Sequence, residues 1–249
     1  MSEQPSPSTA AMLVIGDEIL SGRTKERNAG HLAERLDPVG IALREIRVVP
    51  DETARIVEAV DYLRDRHTYV FTSGGIGPTH DDITAEAIAK ALDRPLIEDP
   101  RAVAILEKHY AERQLPFTAA RRRMTRMPEG ATLIENRVSG APGFVIENVH
   151  VMAGVPSIFE AMLDAVLPTL KLSRPLTIRT IATDFGEGTF GEALARVAAD
   201  HPNVAIGSYP RHDGTRYSAE IVIRGLDSED ADVARIAVAS MLENLAETD

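Results

Sequence analysis

The amino-acid sequence predicts a three-layer α/β/α sandwich with a mostly parallel sheet over residues 11–172, followed by a small α+β domain over residues 175–249. Three observations lead there. Apolar runs alternate with amphipathic stretches from Ala11 to about Leu92, the pattern of parallel strands joined by helical crossovers. The first run, Ala11-Met12-Leu13-Val14-Ile15, lacks polar alternation and so suits a strand covered on both faces. Beyond the proline-marked boundary between Leu167-Pro168 and Ser173-Arg174-Pro175, the order changes to β-α-β-β-α.

Residues 1–10 are rich in Ser and Pro, with no basic start and no apolar core, and read as a disordered tail. The first strand ends at Gly16-Asp17-Glu18. Ala29, Leu32, Ala33 and Leu36 recur at spacings of three and four, predicting a helix from 24 to about 37 that stops near Pro38 and Gly40. Ile41 to Val49 is β-rich, and Pro50-Asp51-Glu52-Thr53 turns the chain into a helix with Ile56, Val60 and Leu63 on one stripe. Tyr69-Val70-Phe71 is the third strand. Helices are expected over 82–92, from Pro100 to about Arg113, and from Pro116 through Arg121, Arg122, Arg123 and Arg126. Ala131 to Ile134 reads as a short strand, and Phe144-Val145-Ile146 with Val149-His150-Val151-Met152 as a hairpin around Glu147-Asn148. Gly154-Val155-Pro156 opens a helix with Ile158, Met162 and Val166 on one side. In the second domain, strands are expected over 176–183, 204–209 and 217–224, and helices over 187–199 and from Ser228. Tyr217, Ala219, Ile221 and Ile223 alternate with polar residues, as on a strand exposed on one face.

The chemistry concentrates at Ser73-Gly74-Gly75-Ile76-Gly77-Pro78-Thr79-His80-Asp81-Asp82. Gly74, Gly75 and Gly77 permit positive φ and close backbone approach, and amides facing a helix start favour an anion. Asp81 and Asp82 therefore cap the helix or hold a cation such as Mg²⁺ beside the bound phosphate. Asp17, Asp51 and Asp82 each follow a strand, so the topology brings three distant carboxylates to the rim where such sheets bind ligands. His80 is a surface residue by default and a phosphate contact by location. The arginine cluster is most simply a solvated helix face; its sharper reading is a contact with phosphate or with a neighbouring subunit.

Several classes are disfavoured. A formal net charge of −11 argues against non-specific nucleic-acid binding and against an anionic membrane surface, and no apolar run approaches a membrane span. Zero cysteines exclude disulfides and thiolate sites and fit a cytoplasmic protein. The seven histidines show no H-x-x-x-H spacing, there is no G-x-S-x-G elbow, and the Gly74 loop lacks a P-loop lysine. Gly186-Glu187-Gly188-Thr189-Phe190-Gly191 matches G-x-G-x-x-G, but its domain is too short for a doubly wound sheet and no acidic residue follows the next strand. A KH-type nucleic-acid role lacks a Lys/Arg stripe around that loop.

Together, Gly16-Asp17-Glu18-Ile19-Leu20-Ser21-Gly22, Asn28, the stretch Thr72 to Thr84, Ala141-Pro142-Gly143-Phe144 and Gly154-Val155-Pro156 resemble the competence/damage-inducible protein A (CinA) family over about residues 11–170. The resemblance implies the molybdopterin-binding fold of MoaB and MogA proteins, and residues 175–249 resemble the small domain that follows it in CinA-like proteins. It also implies that the glycine loop holds a phosphorylated pterin or nucleotide. By motif, the two aspartates that serve metal-dependent adenylyl transfer fall on Asp51 and Asp82. In CinA-like proteins and the related domain of FAD synthases the fold is associated with metal-dependent cleavage of nucleotide pyrophosphates such as ADP-ribose or FAD. Taken with the reading of the strand ends, the expected ligand set is Ser73, Gly74, Gly75, Gly77, Pro78, Thr79, His80, Asn28, Gly154 and Pro156; the catalytic set Asp51, Asp81 and Asp82; the metal set Asp17, Glu18 and Asp82. Family habit further implies a homo-oligomer. Three positions depart from the pattern: Glu26 stands for the usual Asp, the arginine cluster replaces an Asn-rich segment, and Ala153 replaces the first Pro of P-G-V-P. The amidohydrolase domain of many CinA proteins is expected to be absent.

Overall fold

Strand β1 (Thr9–Ile15) is buried from Ala10 onwards, and its side chains divide between two cores. Ala11, Leu13 and Ile15 point into one; Ala10, Met12 and Val14 point into the other. Period-2 alternation on a doubly covered strand makes both faces apolar, which is why the sequence shows a continuous run. This computed structural model describes residues 8–171, 176–212 and 214–246. The expected tail therefore falls largely outside the described residues, but Thr9 and Ala10 belong to β1.

β2 (Ala42–Val49) and β3 (Tyr69–Ser73) flank β1 in parallel, and β8 (Val149–Met152) pairs parallel with β3. The hairpin β7 (Gly143–Ile146) to β8, with β6 (Thr132–Ile134), completes a six-stranded sheet of order β2-β1-β3-β8-β7-β6, its last two pairings antiparallel. On one face lie α3 (Thr53–Arg64) and α4 (Thr84–Ala91), burying Ile56, Val60, Leu63, Ala87 and Ile88. On the other lie α2 (Asn28–Leu36) and α7 (Pro156–Val166), burying Leu32, Leu36, Phe159, Leu163 and Val166. The three layers and mostly parallel sheet are those expected.

The structure corrects several boundaries. α2 starts at Asn28 and not at 24, because Glu26 carboxylate oxygens accept the amides of Asn28 and Ala29 at 2.7 and 3.1 Å and so close the helix start. α5 (Pro100–Glu112) is capped by Asp99, which accepts the Arg101 amide. The expected helix from Pro116 shrinks to α6 (Ala119–Arg122) and one 3₁₀ turn, since Arg126–Pro128 is drawn out as β5. β5 pairs antiparallel with β4 (Leu96–Glu98), a two-stranded sheet not anticipated.

A second unit, residues 174–249, has its own core. β9 (Thr177–Thr183) and β10 (Val204–His212) both pair antiparallel with β11 (Tyr217–Gly225), so they run parallel to each other without touching. α8 (Glu187–Asp200) and α9 (Ser228–Ala246) cover the sheet with Phe190, Leu194, Ala234 and Val238. Tyr217, expected inward, is 68% exposed, while Ala219, Ile221 and Ile223 are buried as expected. With β11 between β9 and β10, the glycines before α8 join no adjacent parallel pair, the context a dinucleotide fingerprint requires.

Candidate functional site

The carboxyl ends of β1, β2 and β3 meet at one edge of the first unit. The link is direct: the Asp17 amide, opening the single turn α1 (Asp17–Leu20), donates to Asp51 Oδ2 at 2.9 Å, and Gly16 N donates to Val49 O at 3.1 Å. Asp17, Glu18 and Asp81 all lie close enough to raise the pKa of Asp51 by repulsion, so four acidic residues from three sequence segments share one rim. Burial is the largest cause of that rise, which holds Asp51 above its ordinary value although the Asp17 amide works against it. Asp81 is pushed the other way by the Thr79 hydroxyl, its own amide and His80. Neighbouring carboxylates pushed apart divide naturally into proton acceptor and persistent anion.

The glycine loop is held by the protein itself. Gly74 has φ 112°, and a side chain there would meet the Ile15 carbonyl at 2.1 Å. Gly75 has φ 67°, and a Cβ would fall 2.1 Å from Thr84 Oγ1. These glycines thus admit the chain's own backbone and Thr84, where the sequence suggested room for ligand. Thr84 is buried; its hydroxyl donates to Gly74 O at 3.0 Å and its amide to Gly75 O at 3.0 Å, stapling the loop to α4. Among the described residues, the amides of Gly75, Ile76 and Gly77 have no internal acceptor, which leaves donors for an anion.

The remaining expected residues take distinct places. Asp82 does not cap α4, whose N-cap is Ile83; its Oδ2 accepts the Thr79 amide at 2.8 Å and the Thr79 hydroxyl at 2.5 Å. Asn28 is buried and uses its side-chain amide internally, donating to Ser73 Oγ at 2.7 Å and Gly154 O at 2.9 Å. It fixes the rim and does not present that amide to ligand. Gly154 packs beside Gly74, and Pro156 starts α7. Pro78 and Thr79 are exposed, and the His80 side chain is 98% exposed, 3.9 Å from Asp81. Asp17, Glu18 and Asp82 do not form a ready metal cage: among the described residues no three His, Asp or Glu side chains are so gathered.

Beside the loop opens a cleft of about 550 Å³. Its lining combines Gly75, Gly77, Glu18 and Asp82 with the apolar Ile76, Met124, Ala153, Val155, Ile158 and Met162. Asn136 lines it too, buried and fully engaged with Ser139 and Ala141. A lining that mixes apolar side chains with a few polar groups is the kind that takes a small organic ligand. Sequence reasoning missed Met124 and Asn136, which lie far along the chain from the motif. The staple role of Thr84 was signalled only by its place at the motif's end.

A doubly covered sheet with a glycine loop and acidic residues at its carboxyl edge defines a small-molecule-binding α/β domain. The family described as "Probable molybdopterin binding domain" matches residues 11–172, and the chain belongs to it. Residues 175–248 match the family described as "FAD synthase, middle domain". A "Probable FAD synthase" of Caenorhabditis briggsae is 32% identical over 259 residues, covering 94% of this chain and 49% of the relative. A "CinA-like protein" of Desulfosudis oleivorans is 33% identical over 209 residues, covering 80% and 51%. This chain thus spans about half the length of each. The solved structure of the protein CinA from Thermoplasma acidophilum, described as of unknown function, superposes with a TM-score of 0.61 at 34% identity, covering 66% of this chain and 98% of that one. Among the described residues, no helix is long and apolar enough to cross a membrane.

Proposed function

We propose that the first unit is an enzyme that binds a phosphorylated nucleotide and hydrolyses its pyrophosphate bond with the help of a divalent metal, on substrates of the ADP-ribose or FAD type. The observation that carries the reading is the junction of Asp51 with Asp17, Glu18 and Asp81 beside free loop amides. The match of the second unit to an FAD synthase domain and the relatives named FAD synthase support the nucleotide class.

The donor set suits a hard cation. Oxygen ligands crowded into mutual repulsion are relieved by Mg²⁺, which takes only one or two carboxylates and completes its shell with waters and substrate phosphates. The absence of a three-carboxylate cage is compatible with that habit. Glu18 and Asp82 would hold the metal, which would supply Lewis-acid polarisation of the phosphoryl group and charge neutralisation, leaving Asp51 free of it. The amides of Gly75, Ile76 and Gly77 bind phosphate oxygens, and the apolar side chains of Ile76, Met124 and Met162 orient the heterocycle. Asp51, with its raised proton affinity, accepts the proton of the attacking water as its oxygen bonds to phosphorus and the bridging P–O bond breaks.

Incubation with Mg²⁺ or Mn²⁺ and ADP-ribose, FAD or NAD, with the products identified, tests this. AMP is expected together with ribose 5-phosphate from ADP-ribose, FMN from FAD and nicotinamide mononucleotide from NAD. A second reading, adenylyl transfer to molybdopterin, is favoured by the family match and predicts adenylylated pterin from ATP and molybdopterin. Binding of these ligands without turnover under any divalent metal would instead leave a non-catalytic binding module.

A further inference from the structure

β2 closes one end of the six-stranded sheet, with β1 on one side and, among the described residues, no strand on the other. A bulge falls at its start: Ala10 pairs with Leu43 and Ala11 with Glu45, so Arg44 is the extra residue, and from Glu45 to Val49 the pairing with β1 is regular. Val49 O accepts the Gly16 amide at 3.1 Å. By alternation Glu45, Arg47 and Val49 turn their backbone groups towards β1, and Ile46 and Val48 turn theirs outward. Both outward residues are β-branched and apolar, and both side chains are open to solvent, Ile46 by 51% and Val48 by 38%. An unpaired edge of this kind is a template for another strand.

The side chains say which strand. Edges that stay single are guarded by charges that repel a copy. Beyond the bulge the charges of β2 are Glu45 and Arg47, opposite in sign, two residues apart and on one face. Arg47 Nε donates to Glu45 Oε1 at 2.6 Å, and its guanidinium lies 3.8 Å from the centroid of the Tyr62 ring, so both side chains are held on the side of α3. When two identical strands pair antiparallel and continue one sheet, opposed residues share a face, and the two-fold axis passes through a residue. An axis at Arg44 or Arg47 opposes two guanidinium groups, and one at Glu45 two carboxylates. An axis at Val48 sets Ile46 against Pro50, which has no amide to give. An axis at Ile46 sets Glu45 of each copy opposite Arg47 of the other. Ile46, with its backbone groups turned outward, then exchanges both hydrogen bonds with its mate, and the charged positions fall on the closer, non-hydrogen-bonded sites. The four charges alternate in sign around a square, so each intrachain ion pair is kept and two more form between copies.

We propose that β2 is the surface through which two copies of this chain pair, strand antiparallel to strand with Ile46 on the two-fold axis, joining their six-stranded sheets into one. Because the strands run in opposite directions, the acidic rims at their carboxyl ends face opposite ways, and each site is complete within its own copy. β2 leads directly into Asp51, so the pairing steadies the strand that carries it.

Sedimentation equilibrium of the full chain tests this on wild type, Ile46→Lys, Glu45→Arg, Arg47→Glu and an equimolar mixture of the last two. Wild type is expected as a dimer. Ile46→Lys places two ammonium groups on the axis and should raise the dissociation constant by about tenfold to a hundredfold. Each charge reversal opposes like charges at two places and should weaken the dimer similarly. Mixing Glu45→Arg with Arg47→Glu restores opposite charges across both places, and the dimer should return. Neither chain regains its internal ion pair in the mixture, so recovery reads the contact between copies alone. A monomeric wild type, wild-type affinity in Ile46→Lys, or a mixture no tighter than its components overturns the inference. If a charge variant fails to fold by circular dichroism, Ile46→Lys, at an exposed position, decides alone.

Discussion

Asp51 meets opposed demands at the scale of a single residue. Burial and the neighbouring acids Glu18, Asp17 and Asp81 raise its pKa, while the Asp17 amide favours its charged form. A carboxyl whose folded pKa lies above its unfolded value favours the folded state fully only below the unfolded pKa, and loses that contribution as pH rises through the folded pKa. At neutral pH the ionised group is therefore a cost in the metal-free protein. Asp51→Asn, which can still accept the Asp17 amide, should raise the thermal midpoint near pH 7 in the presence of a chelator. The gain should vanish below about pH 4, the ordinary aspartate range. The same change should abolish turnover, a trade common where sites are built against stability. Scanning calorimetry at pH 7 and pH 4 with parallel assays checks both; a lowered midpoint at pH 7 would argue against the crowded-carboxylate account.

At the scale of the element, the glycine loop is set by what it packs against. Gly74 is shaped by the Ile15 carbonyl and Gly75 by the Thr84 hydroxyl. Thr84→Val preserves shape but leaves the buried Gly74 carbonyl without its donor, and should cost about 1–3 kcal/mol by denaturant unfolding. It should also weaken ligand binding through a looser loop. Retained stability would mean water replaces the hydroxyl. The strand, turn and helix succession here was legible from the sequence, because glycines after an apolar run and aspartates before a helical period are local signals. The stapling by Thr84 was not, since it depends on a contact across the turn. The same distinction explains β4 and β5: Leu96–Glu98 and Arg126–Pro128 are too short to show a period of two and exist because each supplies the other's partner. It also explains the shortened helix after Pro116, where pairing at Arg126 overrides helix propensity. The cluster's arginines look alike in sequence, yet Arg121 lies over the Tyr110 ring, Arg122 pairs with Glu98 and Glu107, and Arg123 approaches the Asp82 carbonyl.

At the scale of the molecule, the six-stranded sheet holds a titratable group in its core. His150 on β8 stacks on Phe71 with centroids 4.9 Å apart, and burial lowers its pKa from 6.5 to about 4. A depressed histidine contributes stability that is present above its unfolded pKa and is lost as pH falls from about 6.5 towards 4. The full swing corresponds to about 3 kcal/mol for a group buried this deeply. His150→Phe should flatten this part of the stability profile of the first unit, as read from urea midpoints at pH 7 and pH 4.5. An unchanged slope would place the acid sensitivity elsewhere. The overall architecture was the most legible feature of the sequence because a doubly covered strand such as β1 must be apolar throughout, whatever its neighbours do in detail.

The central claim is that the acidic rim and glycine loop carry out hydrolysis of a bound nucleotide pyrophosphate. The most direct measurement is mass analysis of products formed from ADP-ribose in ¹⁸O-labelled water with Mg²⁺. One labelled phosphate oxygen is expected, in either AMP or ribose 5-phosphate, at a rate abolished by Asp51→Asn. Intact ADP-ribose, or products of the same mass in labelled and ordinary water, would contradict it.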